Sequence, residues 1–168
     1  MTMTTIGRCW WIAALLVTAA VADVPVDSLT DTENKAVDLV RKDFHNKNMN
    51  KNAFQVTRIL SNVNQKLSEF TFVQVKFTMK RTNCMNHEWM NEDCTPIMSA
   101  KTYNCLGCFL FNPSGNLLKT GYQKCVRQGR ANKEKVKKER REACAELTDI
   151  HVVGGYSFQR APQGQYED

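Results

Sequence analysis

Cysteine placement constrains the fold of this chain more than any other feature of its sequence. Six of its seven cysteines lie between residues 84 and 144, and the seventh, Cys9, lies in an N-terminal stretch that we expect to be removed. The six are Cys84, Cys94, Cys105, Cys108, Cys125 and Cys144. An even number of cysteines in a secreted chain predicts a disulfide framework, here of three bridges.

The first 22 residues predict a secretory signal peptide. Arg8 provides a basic flank, residues 10–21 form an apolar stretch, and Ala20-Val21-Ala22 matches a cleavage site between small residues. The apolar stretch is too short to span a bilayer comfortably, which argues against a membrane anchor. We therefore expect a secreted, extracellular product that begins after Ala22 and forms one domain with a tail.

Cys105-Leu106-Gly107-Cys108 is a CxxC motif, which redox enzymes and zinc sites both use. Redox catalysis is disfavoured because the motif lies in a strand pattern, without the following helix that activates such a thiol. Zinc binding is disfavoured because no second CxxC or nearby histidine supplies the remaining ligands. Each thiol of the motif is therefore expected to form a structural disulfide.

Strand geometry favours one pairing among the 15 connectivities that six cysteines allow. Residues i and i+3 of a strand point to opposite faces about 10 Å apart, too far for one disulfide. A hairpin centred on Gly115 places Cys105 opposite Cys125, and Cys108 on the other face is left for the C-terminal cysteine. The expected pairs are Cys84–Cys94, Cys105–Cys125 and Cys108–Cys144.

Apolar periodicity predicts one helix followed by four strands. Thr30-Asp31-Thr32-Glu33 has the spacing of a capping box, and the apolar stripe that follows ends in the Asn-rich run from His45 to Asn52. A change of face between Phe72 and Val73 predicts a bulge or strong bend in the second strand. The strand patterns cover residues 54–63, 70–79, 102–111 and 117–126. We therefore predict an α+β fold with an antiparallel four-stranded meander.

The positive charge of the chain is concentrated in one segment. Residues 127–142 hold eight basic and three acidic residues, a net +5, which equals the net charge of residues 23–168 with their 22 basic and 17 acidic residues. Good helix formers predict a basic helix over about 131–147. Such local basicity suits an acidic polymer or an anionic membrane more than nucleic acid. The expected polyanion-binding residues are Arg127, Arg130, Lys133, Lys137, Lys138, Arg140 and Arg141.

The C-terminal stretch, residues 148–168, is predicted to be a flexible tail that carries a short message. Two aromatic residues precede one basic residue near the end of the chain, and Arg160–Ala161 is a bond that trypsin-like serine proteases cut. Carboxypeptidases are expected to trim the exposed arginine. The expected receptor-binding residues are Gly155, Tyr156, Ser157, Phe158 and Gln159, and the expected cleavage residues are Arg160 and Ala161.

Residues 28–162 resemble the chemerin family of the cystatin/cathelicidin-like superfamily. The resemblance rests on the strand Phe72–Phe77 leading into Thr82-Asn83-Cys84, on the cysteine intervals, and on the aromatic-rich tail ending in Arg160-Ala161. It implies a bent sheet wrapped around one helix, with the disulfide pairs given above. The cystatin-like domain would then cover residues 23–147, including the basic helix.

The resemblance also implies a function. Members of the family are weakly active secreted precursors, chemoattractants of the adipokine type, whose tails are trimmed by extracellular proteases. The exposed end then activates a chemokine-like G-protein-coupled receptor. We expect such a ligand to be a monomer without catalytic residues, cofactor or metal.

Two other functions fit the same fold. A cystatin-type cysteine-protease inhibitor needs an N-terminal glycine and a QxVxG hairpin, but residues 23–28 contain no glycine and Gln74–Thr78 lacks the motif's glycine. A cathelicidin-like antimicrobial protein would use Arg127–Arg141 against anionic bacterial membranes or bind heparin-like glycosaminoglycans. An enzyme is disfavoured because the three histidines are scattered: His45, His87 and His151.

Overall fold

The computed structural model describes residues 28–47, 51–67 and 69–157. A helix, α1, precedes four strands and two further helices, and a short 3-10 turn, Asn86–Glu88, follows the second strand. The strands pair in the order β1-β2-β3-β4, and every pair is antiparallel. The elements are α1 Asp31–Lys47, β1 Asn52–Lys66, β2 Thr71–Met85, β3 Tyr103–Phe111, β4 Leu117–Arg127, α2 Gln128–Ala131 and α3 Glu134–Ser157. The predicted α+β meander is confirmed.

The predicted capping box starts α1. The backbone N–H of Thr30 donates to Glu33 Oε2 over 2.8 Å, and the N–H of Glu33 donates to Thr30 Oγ1 over 3.4 Å. The second carboxylate oxygen of Glu33 accepts a hydrogen bond from Asn62 on β1 over 2.8 Å. The cap therefore also fixes the start of the helix against the sheet, with the apolar stripe of α1 buried below it.

Helices cover both faces of the sheet. The predicted bulge in β2 is therefore not needed to explain its change of face. Val73, Phe77 and their alternate neighbours belong to the core under α1, whereas Phe72 belongs to a second core under α3. The pairing of β2 with β3 runs without a break from Thr71 to Met79. Both sets of apolar residues in β2 are buried because each face has its own helix. The irregularities lie instead in the pairing of β1 with β2 and of β3 with β4.

Two glycines allow the helices to approach the sheet closely from opposite sides. A Cβ atom on Gly107 of β3 would lie 2.5 Å from Val40 Cγ2 of α1. A Cβ atom on Gly121 of β4 would lie 2.6 Å from the carbonyl oxygen of Ala143 in α3. Neither approach leaves room for a larger residue.

The three disulfides join the pairs expected from the hairpin geometry, Cys84–Cys94, Cys105–Cys125 and Cys108–Cys144. Cys105 and Cys125 are direct partners in the register of β3 and β4. Cys105 lies in the core under α1 and Cys108 in the core under α3, so the two thiols of the CxxC motif occupy opposite faces. The bridge from Cys108 to Cys144 ties α3 to the sheet.

The basic helix differs from its predicted boundaries at both ends. Residues 128–131 form the short helix α2, and α3 then continues to Ser157, so residues 148–157 are helical where a flexible tail was predicted. No glycine or proline occurs between Gly129 and Gly154, so the sequence offers no stop near residue 147. The rest of the predicted tail and the predicted signal peptide lie outside the described residues. Within the described ranges, none of the helices has the length and apolar content needed to cross a membrane.

Candidate functional site

The predicted message begins where α3 ends. The helical backbone includes residues 155–157, the first three residues of the predicted receptor-binding set. The remaining residues of the message and its cleavage site lie outside the described part of the chain: Phe158, Gln159, Arg160 and Ala161. Their roles stay predictions from the sequence.

The predicted polyanion-binding residues divide into six exposed side chains and one buried side chain. They extend from the end of β4 through α2 into the first half of α3. Arg140 is buried, with 7% of its surface exposed. The exposed six are Arg127, Arg130, Lys133, Lys137, Lys138 and Arg141.

Arg140 fastens α3 to β3 from inside the domain. Its Nη1 donates to Asn104 Oδ1 over 2.7 Å, and its Nη2 donates to the carbonyl oxygen of Asn104 over 2.8 Å. Its guanidinium carbon lies 6.0 Å from the ring centroid of Tyr122. Arg140 follows Val136 by four residues and precedes Leu147 by seven, so it lies on the face that α3 buries against the sheet. Arg140 therefore has a structural role in the folded domain, and its binding of a polyanion stays a prediction from the sequence.

Local ion pairs partly neutralise the exposed basic residues. Lys137 Nζ lies 2.9 Å from Glu134 Oε1, and Lys138 Nζ lies 3.7 Å from Glu142 Oε1. The hydrogen bond from Lys137 and its positive charge lower the pKa of Glu134 below its ordinary value. Within the described ranges, the other four of the six exposed candidates form no ion pair: Arg127, Arg130, Lys133 and Arg141. These four residues carry most of the positive charge of the six that no ion pair neutralises.

His45 has a structural role that the sequence did not indicate. Only 3% of it is exposed, and its Nε2 accepts a hydrogen bond from the backbone N–H of Phe54 over 2.9 Å. Its Nδ1 lies 2.7 Å from the carbonyl oxygen of Arg41, so Nδ1 carries the proton of a neutral ring. Burial lowers the pKa of His45 below its ordinary value of 6.5. With both nitrogens engaged, His45 connects α1 to the start of β1.

Trp89 anchors the loop that the Cys84–Cys94 disulfide closes. Its ring stacks on His45 with centroids 5.2 Å apart, and the Arg41 guanidinium lies 5.0 Å from its centroid. The carbonyl oxygen of Trp89 accepts hydrogen bonds from Arg41 and Gln55. These contacts support a structural role for Trp89 in anchoring this loop.

The segment that would correspond to an inhibitory hairpin is part of the sheet. Gln74–Thr78 lies inside β2 and pairs with β1 on one side and with β3 on the other. Val75 and Phe77 in this segment are fully buried. Its backbone is therefore already hydrogen-bonded and cannot enter a protease cleft.

Among the described residues, no group of three or more His, Cys, Asp or Glu side chains is placed to hold a metal ion. All six cysteines of the framework are oxidised, so none is available as a thiolate ligand.

Comparison with known proteins finds one matching domain family and several relatives that share one name. The model of the cystatin domain matches residues 22–106. The chain is 27% identical over 90 residues to "Retinoic acid receptor responder protein 2" of Mus musculus, covering 54% of this chain and 56% of that protein. The Cricetulus griseus protein of the same name is 24% identical over 114 residues, covering 62% and 70%. The Homo sapiens protein is 24% identical over 95 residues, covering 56% and 58%.

The chain thus spans little more than half the length of the mouse and human relatives. Among solved structures, "Crystal structure of Al-CPI" aligns with a TM-score of 0.48 at 11% identity, covering 63% of this chain and 96% of that one.

Proposed function

The chain belongs to the cystatin family, and from this premise we propose that it is a secreted precursor of a receptor ligand. A trypsin-like protease cuts its tail at Arg160–Ala161, and the new end activates a chemokine-like G-protein-coupled receptor. Relatives named "Retinoic acid receptor responder protein 2" support the resemblance to the chemerin family, and that resemblance implies a receptor ligand and not an inhibitor. The pairing of Gln74–Thr78 inside the sheet argues in the same direction.

The observation that carries the proposal is that the disulfides and the described core residues of the domain all precede the message in the chain. The third disulfide joins α3 at Cys144, and among the α3 residues whose side chains are described, the last one buried in the core is Leu147. The cleavage site follows at residues 160 and 161. Cutting there leaves the three disulfides and both cores intact, so the domain stays folded while the message gains a new end.

The residues that cleavage removes carry negative charge. Residues 161–168 contain Glu167 and Asp168 and no basic residue, so their loss raises the formal charge of the chain by two. A receptor cavity would have to desolvate these carboxylates together with the message, which is unfavourable without partners. Removing them therefore favours entry of Tyr156 and Phe158, the aromatic residues expected to supply most of the buried area.

Receptor assays test this proposal with three forms of the protein: residues 23–168, a form ending at Arg160 and a form ending at Gln159. We expect the trimmed forms to drive cell migration and the full form to be weak. Phe158→Ala in the trimmed protein should lower potency at least tenfold, about 1.4 kcal/mol. Leu118→Ala is the control: it removes an exposed apolar side chain outside the message and should leave potency unchanged. Equal activity of full and trimmed protein, or a silent Phe158→Ala, contradicts the proposal.

A second function, binding of heparin-like glycosaminoglycans, is supported by the exposed cations of α2, α3 and the end of β4. Insertion into bacterial membranes is less favoured. Leu147 is fully buried and Ala143 packs against the core under α3, so this part of the helix, among the described side chains, does not offer its apolar stripe to lipid. Exposed charge beside a buried apolar stripe, as in this part of the helix, fits a sulfated polymer better than a bilayer.

A further inference from the structure

A groove of about 510 Å³ lies between β2 and α3, on the face of the sheet that α3 partly covers. Its floor includes the apolar side chains of Phe72 and Leu106, which belong to the core under α3. Val63, the partner of Gln74 in the neighbouring strand, is 41% exposed and continues the apolar surface on this side. The groove therefore offers room and apolar contact to a ligand.

The walls of the groove are basic. Lys76, Lys137, Arg140 and Arg141 line it, and none of the described residues that line it is Asp or Glu. Arg140 is already bonded to Asn104, and Lys137 is paired with Glu134. Within the described ranges, Lys76 and Arg141 form no ion pair. Basic walls over an apolar floor match a ligand that combines carboxylates with an aromatic ring.

We propose that the groove binds the acidic end of this chain's own tail, Tyr166-Glu167-Asp168. The segment supplies one aromatic ring followed by two carboxylates. The ring suits the apolar floor, and the carboxylates suit the three wall cations that are not buried, Lys76, Lys137 and Arg141. A sulfated polysaccharide offers anions to the same walls but has no aromatic group for the floor.

The tail is long enough to reach the groove. Arg141 precedes the end of α3 at Ser157 by 16 residues, about 24 Å at the rise of an α-helix. Glu167 follows Ser157 by ten residues, which span up to about 33 Å when extended. The tail can therefore turn back along the helix and place Glu167 beside Arg141. Because the tail and the groove belong to one chain, the effective concentration of the tail at the groove is high, on the order of millimolar.

Docking of the acidic end keeps the message folded back until the protease acts. Cleavage at Arg160–Ala161 converts residues 161–168 into a separate peptide, which loses the effective concentration of the intact tail and dissociates. The consequence for activation rests on the proposed function, whereas the docking is a property of the precursor and is measured without a receptor.

Backbone NMR of residues 23–168 tests the docking. In the native precursor, the heteronuclear NOE of Tyr166, Glu167 and Asp168 should show restricted motion, and the amide signals of Lys76 and Arg141 should shift when residues 161–168 are removed. The variant K137E/R141E should free the tail and speed tryptic cleavage after Arg160 by about threefold or more, given partly exposed ion pairs. K119E/K135E is the matched control: it changes the net charge equally at two exposed sites outside the groove and should behave as wild type.

A charge swap distinguishes docking from a folding defect. K137E/R141E combined with E167K/D168K should restore the restricted motion and the slower cleavage. Tail amides that are equally mobile in wild type and K137E/R141E, or a swap that restores nothing, overturn the proposal. The tail could dock as described while trimming leaves receptor activity unchanged. That result would refute the proposed function and leave the docking established.

Discussion

Arg140 stabilises the fold because both of its terminal nitrogens bond to a single residue of the neighbouring strand. Asn104 is 2% exposed, so water cannot replace the guanidinium if it is removed. A hydrogen bond to a charged group contributes about 1.5–3 kcal/mol, and a buried acceptor left without a partner is unfavourable by a similar amount. Nε of Arg140 has no partner among the described residues, which offsets part of this gain.

Arg140→Met should therefore lower the free energy of unfolding by about 2–3 kcal/mol, because the side chain keeps its length but Asn104 loses its donors. Urea unfolding measures the change. Arg141→Met is the neighbouring control, since Arg141 is exposed and should cost less than about 0.5 kcal/mol. Equal losses in the two variants would show that Arg140 does not hold α3 to β3.

His45 should make stability depend on pH. Burial, with the nearby charge of Arg41 as a smaller cause, lowers its pKa in the folded chain below the ordinary value of 6.5. The unfolded chain then binds the proton more readily, so the contribution of neutral His45 is complete above about pH 6.5 and is lost as the pH falls below that value.

Urea unfolding should show that the free energy of unfolding decreases from about pH 7.5 to about pH 5.5. His45→Gln should reduce the slope of this free energy against pH. The comparison uses slopes because the substitution also changes stability at neutral pH. His87→Gln, at an exposed position, should keep the wild-type slope. An unchanged slope in His45→Gln would mean that other groups cause the pH dependence.

At the scale of elements, the position of α3 is set by how closely it approaches β4. Gly121→Ala would bring a methyl group within 2.6 Å of the Ala143 carbonyl oxygen and of Leu147 Cγ. Helix backbone cannot move aside as a flexible side chain can, so we expect a loss of about 1–3 kcal/mol and faster hydrogen exchange in α3. Thermal or urea unfolding and amide exchange measure both effects.

Gly129→Ala is the control for this substitution. Gly129 lies in α2, and a Cβ atom there would meet nothing within 4 Å. The change should be neutral or stabilise the protein by up to about 1 kcal/mol through helix propensity. If Gly121→Ala were equally harmless, α3 would not be packed against β4 as closely as described.

The elements that were predictable from the sequence are those with a strong local signal. The capping box gave the start of α1, and the hairpin symmetry about Gly115 gave the register of Cys105 with Cys125. The ends of β1 and β2 were less predictable, since both strands continue through polar residues that pair in the sheet but are exposed. The apparent face change in β2 needed knowledge of the second helix layer, which no single strand pattern contains.

At the scale of the molecule, one cationic segment has two separate roles. Its buried residue, Arg140, belongs to the packing of α3, and its exposed residues provide the surface charge. Composition showed where the charge is but could not show this division, because the direction of each side chain depends on the face that α3 turns to the sheet. The role of His45 was hidden for the same reason: its partners come from α1, β1 and the disulfide loop.

Heparin binding should depend on the exposed charge of the segment from Arg127 to Arg141 and not on the net charge of the molecule. Replacing Lys137, Lys138 and Arg141 with serine removes half of the six exposed candidates, so the slope of log Kd against log salt concentration should roughly halve. Arg140 is kept because its loss would destabilise the domain. The control removes the same charge from exposed lysines elsewhere, in K42S/K51S/K101S, and should keep the wild-type slope. Equal slopes in the two triple variants would mean that net charge alone governs binding, because only a localised site distinguishes variants of equal charge.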